Sequence, residues 1–303
     1  MNAQISLSSR AWFELALLSA IWGASFLSIR VALDEIPVMT AVAHRVFWAA
    51  LILWLYVLLR RLPVPRTARI WGACLIMGLL NNAIPFTLMA WGQLYIETGL
   101  TSIFNAATAI FGVLVAAIVF TDERLTLNRI IGVLIGFTGV TVAIGIENLT
   151  QFDIRSMAQL AVLLGTVSYA LAGSWARATM SGLAPQVAAA GMLTGSTLIM
   201  VPLALFIDGA PQLALQTDTI LAVGYYAIIA TAGAYLLYYR VLAMAGSGNL
   251  MLCTLLIVPV AITLGVLVRG ETLSPQALAG FTLLALGLLI LDGRILRLLR
   301  KSP

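Results

Sequence analysis

Charge is scarce in this 303-residue chain: Asp, Glu, Lys and Arg together make up only 10% of it. A water-soluble domain carries about a quarter charged residues. So small a share cannot cover a globular surface, which excludes a soluble enzyme. Histidine is nearly missing too. His44 stands alone, so no histidine cluster exists to hold a metal. The two cysteines, Cys74 and Cys253, fall inside apolar runs and read as small buried hydrophobes rather than a disulfide pair. No Asp or Glu stands in the middle of an apolar run: Glu14, Glu97, Asp122, Glu123, Glu271 and Asp292 lie at run ends or between runs. Carboxylate-driven proton antiport lacks its usual carrier on this reading, which favours facilitated movement of a solute. Neither a G-x-S-x-G elbow nor an H-E-x-x-H motif occurs, so an enzyme is not expected, nor any cofactor.

What is abundant is apolar sequence. Hydrophobic residues reach 61% and the mean hydropathy is +1.03. Ten spanning helices of about 20 residues need about 200 residues, which leaves short loops and no room for an independent soluble domain. Hydropathy places the spans near 12–33, 38–59, 70–91, 99–120, 127–146, 157–178, 185–207, 219–242, 248–268 and 275–292. Pro37, Pro185 and Pro275 stand at span entries, where a missing N–H costs least. The first apolar run is too long for a signal-peptide core and is read as a retained span.

The net charge of +5 is a topology signal rather than a nucleic-acid one, because the basic residues sit between spans. With both termini cytoplasmic, the inner side holds Arg10, Arg60, Arg61, Arg66, Arg69, Arg124, Arg129, Arg177, Arg240, Arg294, Arg297, Arg300 and Lys301. The outer side holds only Arg30, Arg155 and Arg269. This bias predicts cytoplasmic termini.

The chain is also internally duplicated at an offset of about 148. Glu123 and Glu271, Leu125 and Leu273, Gly132 and Gly280, and Gly139 and Gly287 are mates at that offset, as are Pro37 and Pro185. Trp22 and Arg30 match Tyr169 and Arg177 at 147. Five spans per copy is an odd number, so the second copy must lie upside down. Inverted repeats around a midplane cavity suit alternating access. The expected architecture is an all-α integral membrane protein of ten helices, with repeats at 1–148 and 149–303 around a central cavity. One chain holds both copies, so a monomer is expected to form a complete pathway.

The Trp22-Gly-Ala-Ser-Phe26 segment resembles the opening of an EamA repeat, and so does the closing Glu-x-Leu element with its glycine-bearing helix in both copies. Pro259 stands where that family often has proline; its mate Phe111 departs from the pattern. The resemblance covers nearly the whole chain and concerns the drug/metabolite transporter superfamily, within which the chain is similar to amino-acid exporters of the YddG type. It implies export of amino acids across a bacterial inner membrane. An exporter of cationic drugs or other metabolites is the alternative, with a channel or an intramembrane enzyme behind it.

Polar residues within spans should face inward. Thr101, Asn105, Thr108 and Gly112 form one stripe on the fourth span, read either as cavity lining or as helix packing. On the eighth span, α-helical arithmetic puts Tyr225, Tyr235 and Tyr239 on one face, with Tyr226 and Tyr238 pointing elsewhere. Trp91, the repeat mate of Tyr239, joins Trp22 and Tyr169 as an aromatic wall or, near span ends, as an interfacial belt. Ser25 and Asn81 complete the expected cavity. Arg30 and Arg177 are snorkelling anchors or gate residues. His44 and Arg45 lie about two turns inside the second span, where they need partners, hydration or a substrate charge. Pro85 in the third span matches Gly233 in the eighth, and both weaken their helices at one depth. They read as hinges or as static kinks, with Asn81, Asn82 and Thr231 nearby to satisfy freed backbone groups. Pro202 and Pro259 mark further kinks, and Gly132/Gly136 and Gly191/Gly195 mark close helix contacts.

Overall fold

The computed structural model describes residues 8–123, 126–145, 153–212, 214–250 and 252–291, without the side chains of 245–250. Ten helices make up most of it: α1 (Ser9–Ala32), α2 (Val38–Leu59), α3 (Ala68–Gly92), α4 (Thr98–Val119), α5 (Leu127–Ile144), α6 (Ile154–Thr179), α7 (Pro185–Ile207), α8 (Thr217–Met244), α9 (Leu252–Arg269) and α10 (Pro275–Leu291). Among the described residues α1 to α9 are each long and apolar enough to cross a membrane, and α10 is shorter at 17 residues. Arg124, Asp292, Arg294, Arg297, Arg300 and Lys301 lie outside the described residues, as does the repeat boundary expected between 148 and 149.

Local chemistry sets several helix starts. Ser8 Oγ accepts from Ala11 N at 3.2 Å, and Asp153 Oδ1 accepts from Ser156 N at 2.7 Å. Each satisfies a donor that a helix N-terminus leaves unpaired. Pro185 and Pro275 open α7 and α10, and Pro37 caps α2. Pro202 and Pro259 sit inside continuous helices.

Contacts between helix ends sort them onto two faces. On the face where α1 begins, Glu14 accepts from Arg240 of α8 at 2.5 Å, and Arg177 at the end of α6 donates to Asp122 beyond α4 at 2.5 Å. On the far face, Thr40 of α2 donates to Asp208 after α7 at 2.7 Å, and Arg155 of α6 donates to Glu97 before α4 at 2.7 Å. Successive helices therefore run in alternate directions, and Arg30 and its mate Arg177 end on opposite faces.

Packing repeats with that inversion. Helix α1 lies on α9 as α6 lies on α4, and α8 lies on α2 as α3 lies on α7. The pairs α2/α7 and α5/α10 join the halves. In the α5/α10 pair a Cβ added at Gly132 would stand 2.7 Å from Gly287 O, and one at Gly139 the same 2.7 Å from Gly280 O. These two crossings exchange under the 148-residue offset. Lipid tails give no hydrophobic reason for helices to meet, so close backbone packing at small residues supplies the attraction. Gly191 and Gly195 do the same for α7 against Cys74 and Leu75 of α3.

The symmetric weak points take a definite form. In α3 the segment Leu79–Ala83, just before Pro85, is π-helical, and in α8 the segment Tyr225–Gly233 is too. Proline cannot donate to its ladder and crowds the carbonyl four residues back, and a wider i→i+5 turn relieves both. The Thr231 hydroxyl donates to Tyr226 O at 2.7 Å, inside its own π segment. Asn81 and Asn82 do not serve their own backbone. Asn82 Nδ2 donates to Ser196 of α7 at 2.8 Å, while Asn81 Nδ2 donates to the Tyr235 hydroxyl of α8 at 3.2 Å. Their spacing before Pro85 suggested local repair, but their side chains reach across the bundle.

Candidate functional site

A cavity of about 520 Å³ lies between the two halves. Its wall draws Trp22 and Ser25 from α1, Arg45 from α2, Asn81 and Phe86 from α3 with Gln93 just after it, and Asn105 and Thr108 from α4. Helix α6 adds Tyr169 and Gly173, and α8 adds Thr231, Tyr235, Tyr238 and Tyr239. No Asp or Glu lines it among the described residues.

The aromatic wall is braced by specific contacts. Trp22 Nε1 donates to Ala230 O at 3.1 Å, a carbonyl within the π segment of α8. Its ring lies 5.8 Å from that of Tyr238, and Tyr238 meets Tyr239 edge-on at 5.2 Å. Across the cavity, Phe86 meets Tyr169 edge-on at 6.5 Å. Ser25 donates to Trp22 O and Thr108 to Asn105 O, each at 2.7 Å, so both hydroxyls are partly engaged by their own helices.

Three residues expected at this wall lie elsewhere. Thr101 is fully buried and donates to Glu97 O at 3.1 Å, which makes it a packing residue. Trp91 packs edge-on against Tyr95 at 5.2 Å, as an interfacial aromatic would. Tyr225 donates to Ile21 O at 3.0 Å and fastens α8 to α1. Its expected place beside Tyr235 assumed 3.6 residues per turn. The nine-residue π segment Tyr225–Gly233 intervenes, and each i→i+5 turn takes extra residues, so the faces shift. Tyr238, expected to point away, follows Tyr235 by three residues on regular helix and shares its side.

The charged candidates separate as clearly. His44 accepts from Trp48 Nε1 at 3.1 Å and lines a shallow apolar groove between α2 and α7, away from the cavity. Arg30 donates to Asp34 at 2.6 Å, and Arg269 of α9 reaches the same carboxylate. Partial burial pushes Asp34 upward, but Arg269 and Arg30 outweigh it and hold its carboxyl below the usual range. Arg177 bridges Asp122 and Glu123 at 2.5 and 3.2 Å. Arg45 alone faces the cavity. Its Nε donates to Thr231 Oγ1 at 3.0 Å, and its guanidinium carbon stands 3.8 Å from the centre of the Phe86 ring.

Sequence reasoning missed three further features. Gln93 is buried, donates to Phe26 O at 2.9 Å and leaves its Oε1 without a partner among the described residues. The polar residue just after Gly92 was its only signal. Phe86 gave none. Glu14, placed at a run end, is buried inside α1 between Arg10 and Arg240, with Oε2 unpartnered among the described residues.

The two faces of the cavity differ. On the far face Glu271 accepts from Thr98 Oγ1 at 2.7 Å, and the Thr98–Ala106 half of α4 packs on α9. The Thr108–Val119 half packs on α6 instead. There the lining runs to Gly173, Ala176, Leu242 and Thr254, and a Cβ on Gly173 would meet nothing within 4 Å. Glu123, the mate of Glu271, is held by Arg129 and Arg177.

An inverted helical duplication around an aromatic-walled cavity defines a membrane transporter rather than an enzyme. The chain belongs to the EamA-like transporter family, whose model matches it twice, over residues 11–145 and 156–291. It is 26% identical to an uncharacterized transporter of Archaeoglobus fulgidus, covering 93% of this chain and 98% of that protein. It is 25% identical to a probable terminal-alkyne amino-acid exporter of Streptantibioticus cattleyicolor, covering 97% of each. It is also 26% identical to a probable amino-acid metabolite efflux pump of Salmonella typhimurium, covering 94% and 95%. A solved crystal structure shares the fold with a TM-score of 0.66 at 16% identity, over 94% of this chain and 98% of that one.

Proposed function

We propose that the protein exports amino acids, aromatic and other neutral ones included, or similarly small metabolites, by facilitated alternating access. The cavity carries this reading. Its volume of about 520 Å³ falls within the ~300–1,000 Å³ of small-molecule sites. Aromatic walls with neutral polar groups accept several side-chain shapes without demanding one. The names of the Streptantibioticus and Salmonella relatives point the same way. The lack of a carboxylate among the described lining residues favours facilitated movement over proton antiport.

In this reading the termini are cytoplasmic in a bacterial inner membrane, and the cavity faces the cytoplasm. The π segments before Pro85 and up to Gly233 are the paired hinges, and the Arg30 and Arg177 ion-pair groups are clamps on the two faces. A single chain forms the pathway. The test is purified protein in liposomes loaded with a panel of amino acids, with and without a proton gradient. Saturable efflux at equal rates in both conditions is expected. Flux linear in concentration would point to a channel, and gradient-driven accumulation would overturn facilitated export. Movement of cationic drugs without any amino acid would overturn the substrate class.

A further inference from the structure

Arg45 is a guanidinium inside a spanning helix with no carboxylate partner among the described residues. Of its five donors, only Nε is used among the described residues, toward Thr231, and one face rests on Phe86. A half-buried cation inside a spanning helix is costly unless water or an anion completes it. The Tyr169 ring packs edge-on at 6.5 Å against Phe86, the ring on which Arg45 rests; Tyr169 lines the same cavity, and its hydroxyl has no hydrogen-bond partner among the described residues. Two unused donor groups thus converge on one wall. No carboxylate awaits an ammonium group among the described lining residues, which offer it aromatic faces and neutral acceptors such as Asn105.

We infer that the cavity selects its substrate by a carboxylate held at Arg45 and Tyr169, and that the α-amine of an amino acid is dispensable. Apolar carboxylic acids without an amine are then substrates of the same site. This rests on reading the cavity as the transport site. A site built around a charged donor rejects a ligand lacking the matching group far more strongly than it rejects one lacking a group it never engages.

The experiment is counterflow of labelled phenylalanine in liposomes, competed with 3-phenylpropionate, which lacks the amine, and with phenethylamine, which lacks the carboxylate. Phenylpropionate should compete within about threefold of phenylalanine, and phenethylamine about tenfold or more weakly, as for loss of a charge-assisted hydrogen bond. Arg45→Gln should weaken both carboxylates by a similar factor, with Arg45→Lys partly restoring them. Competition by phenethylamine but not phenylpropionate overturns the inference, as does unchanged phenylalanine transport in Arg45→Gln. Either result leaves the amino-acid reading standing. If the wild type carries no phenylalanine, that reading fails instead, and calorimetric binding of phenylpropionate against phenethylamine still decides the carboxylate anchor.

Discussion

Asn105 and Tyr239 project polar side-chain atoms into the cavity without hydrogen-bond partners among the described residues, whereas the Tyr225 hydroxyl is committed to Ile21 O. A neutral hydrogen bond is worth about 0.5–1.5 kcal/mol net. Asn105→Ala and Tyr239→Phe should therefore slow transport several-fold without abolishing it. Tyr225→Phe should leave transport near wild type and lower thermal stability in detergent slightly. An inactive Tyr225→Phe with unchanged stability would return that residue to the cavity. Asp34 offers a different test. Its carboxyl is held low by Arg269 and Arg30, so its contribution is fully present above the unfolded carboxylate value, about 3.9. That contribution is lost only as pH falls through its own lower value. The stability gap between wild type and Asp34→Asn should stay constant from pH 7 to about pH 4.5 and close below that. A gap closing near pH 6 would exclude Asp34 as its source.

At the scale of elements, the π segments are the features most open to trial. Each is a stretch of weaker hydrogen-bond geometry at the same depth in an inverted pair of helices, with Pro85 just beyond one and Gly233 ending the other. Pro85→Ala and Gly233→Ala should let a regular ladder form and stiffen both helices. Turnover should fall more than equilibrium binding does. Unchanged turnover in both variants would make the segments static kinks. The pairing Pro85/Gly233 was legible from the 148-residue offset. The π form was not, because neither period nor propensity distinguishes an i→i+5 turn from an α turn.

For the whole molecule, orientation is the open quantity that a direct measurement resolves. Cys74 and Cys253 are buried, so an added surface cysteine can be read against a quiet background. Arg66→Cys, in the loop between α2 and α3, should resist a membrane-impermeant thiol reagent in whole cells and react in inverted vesicles. Gln212→Cys, between α7 and α8, should do the reverse. The opposite pattern would invert the molecule and make the export direction untenable.

Composition, hydropathy and the offset repeat were enough to determine a ten-helix inverted duplication. Those properties are linear: span length follows bilayer thickness, and the odd count per copy forces the inversion. Asn105 was legible from helical periodicity, and Trp22 and Tyr169 from their aromatic character and the repeat offset. The tertiary structure decided the rest, because it turned on partners distant in the chain. Glu14 reads as a run-end carboxylate until Arg240 closes on it, and Thr101 reads as lining or packing until α4 packs on α9. His44 and Arg45 are adjacent in sequence, yet one faces a shallow apolar groove and the other the cavity. A helix turns about 100° between neighbours, and only the packed bundle settles which side is inside.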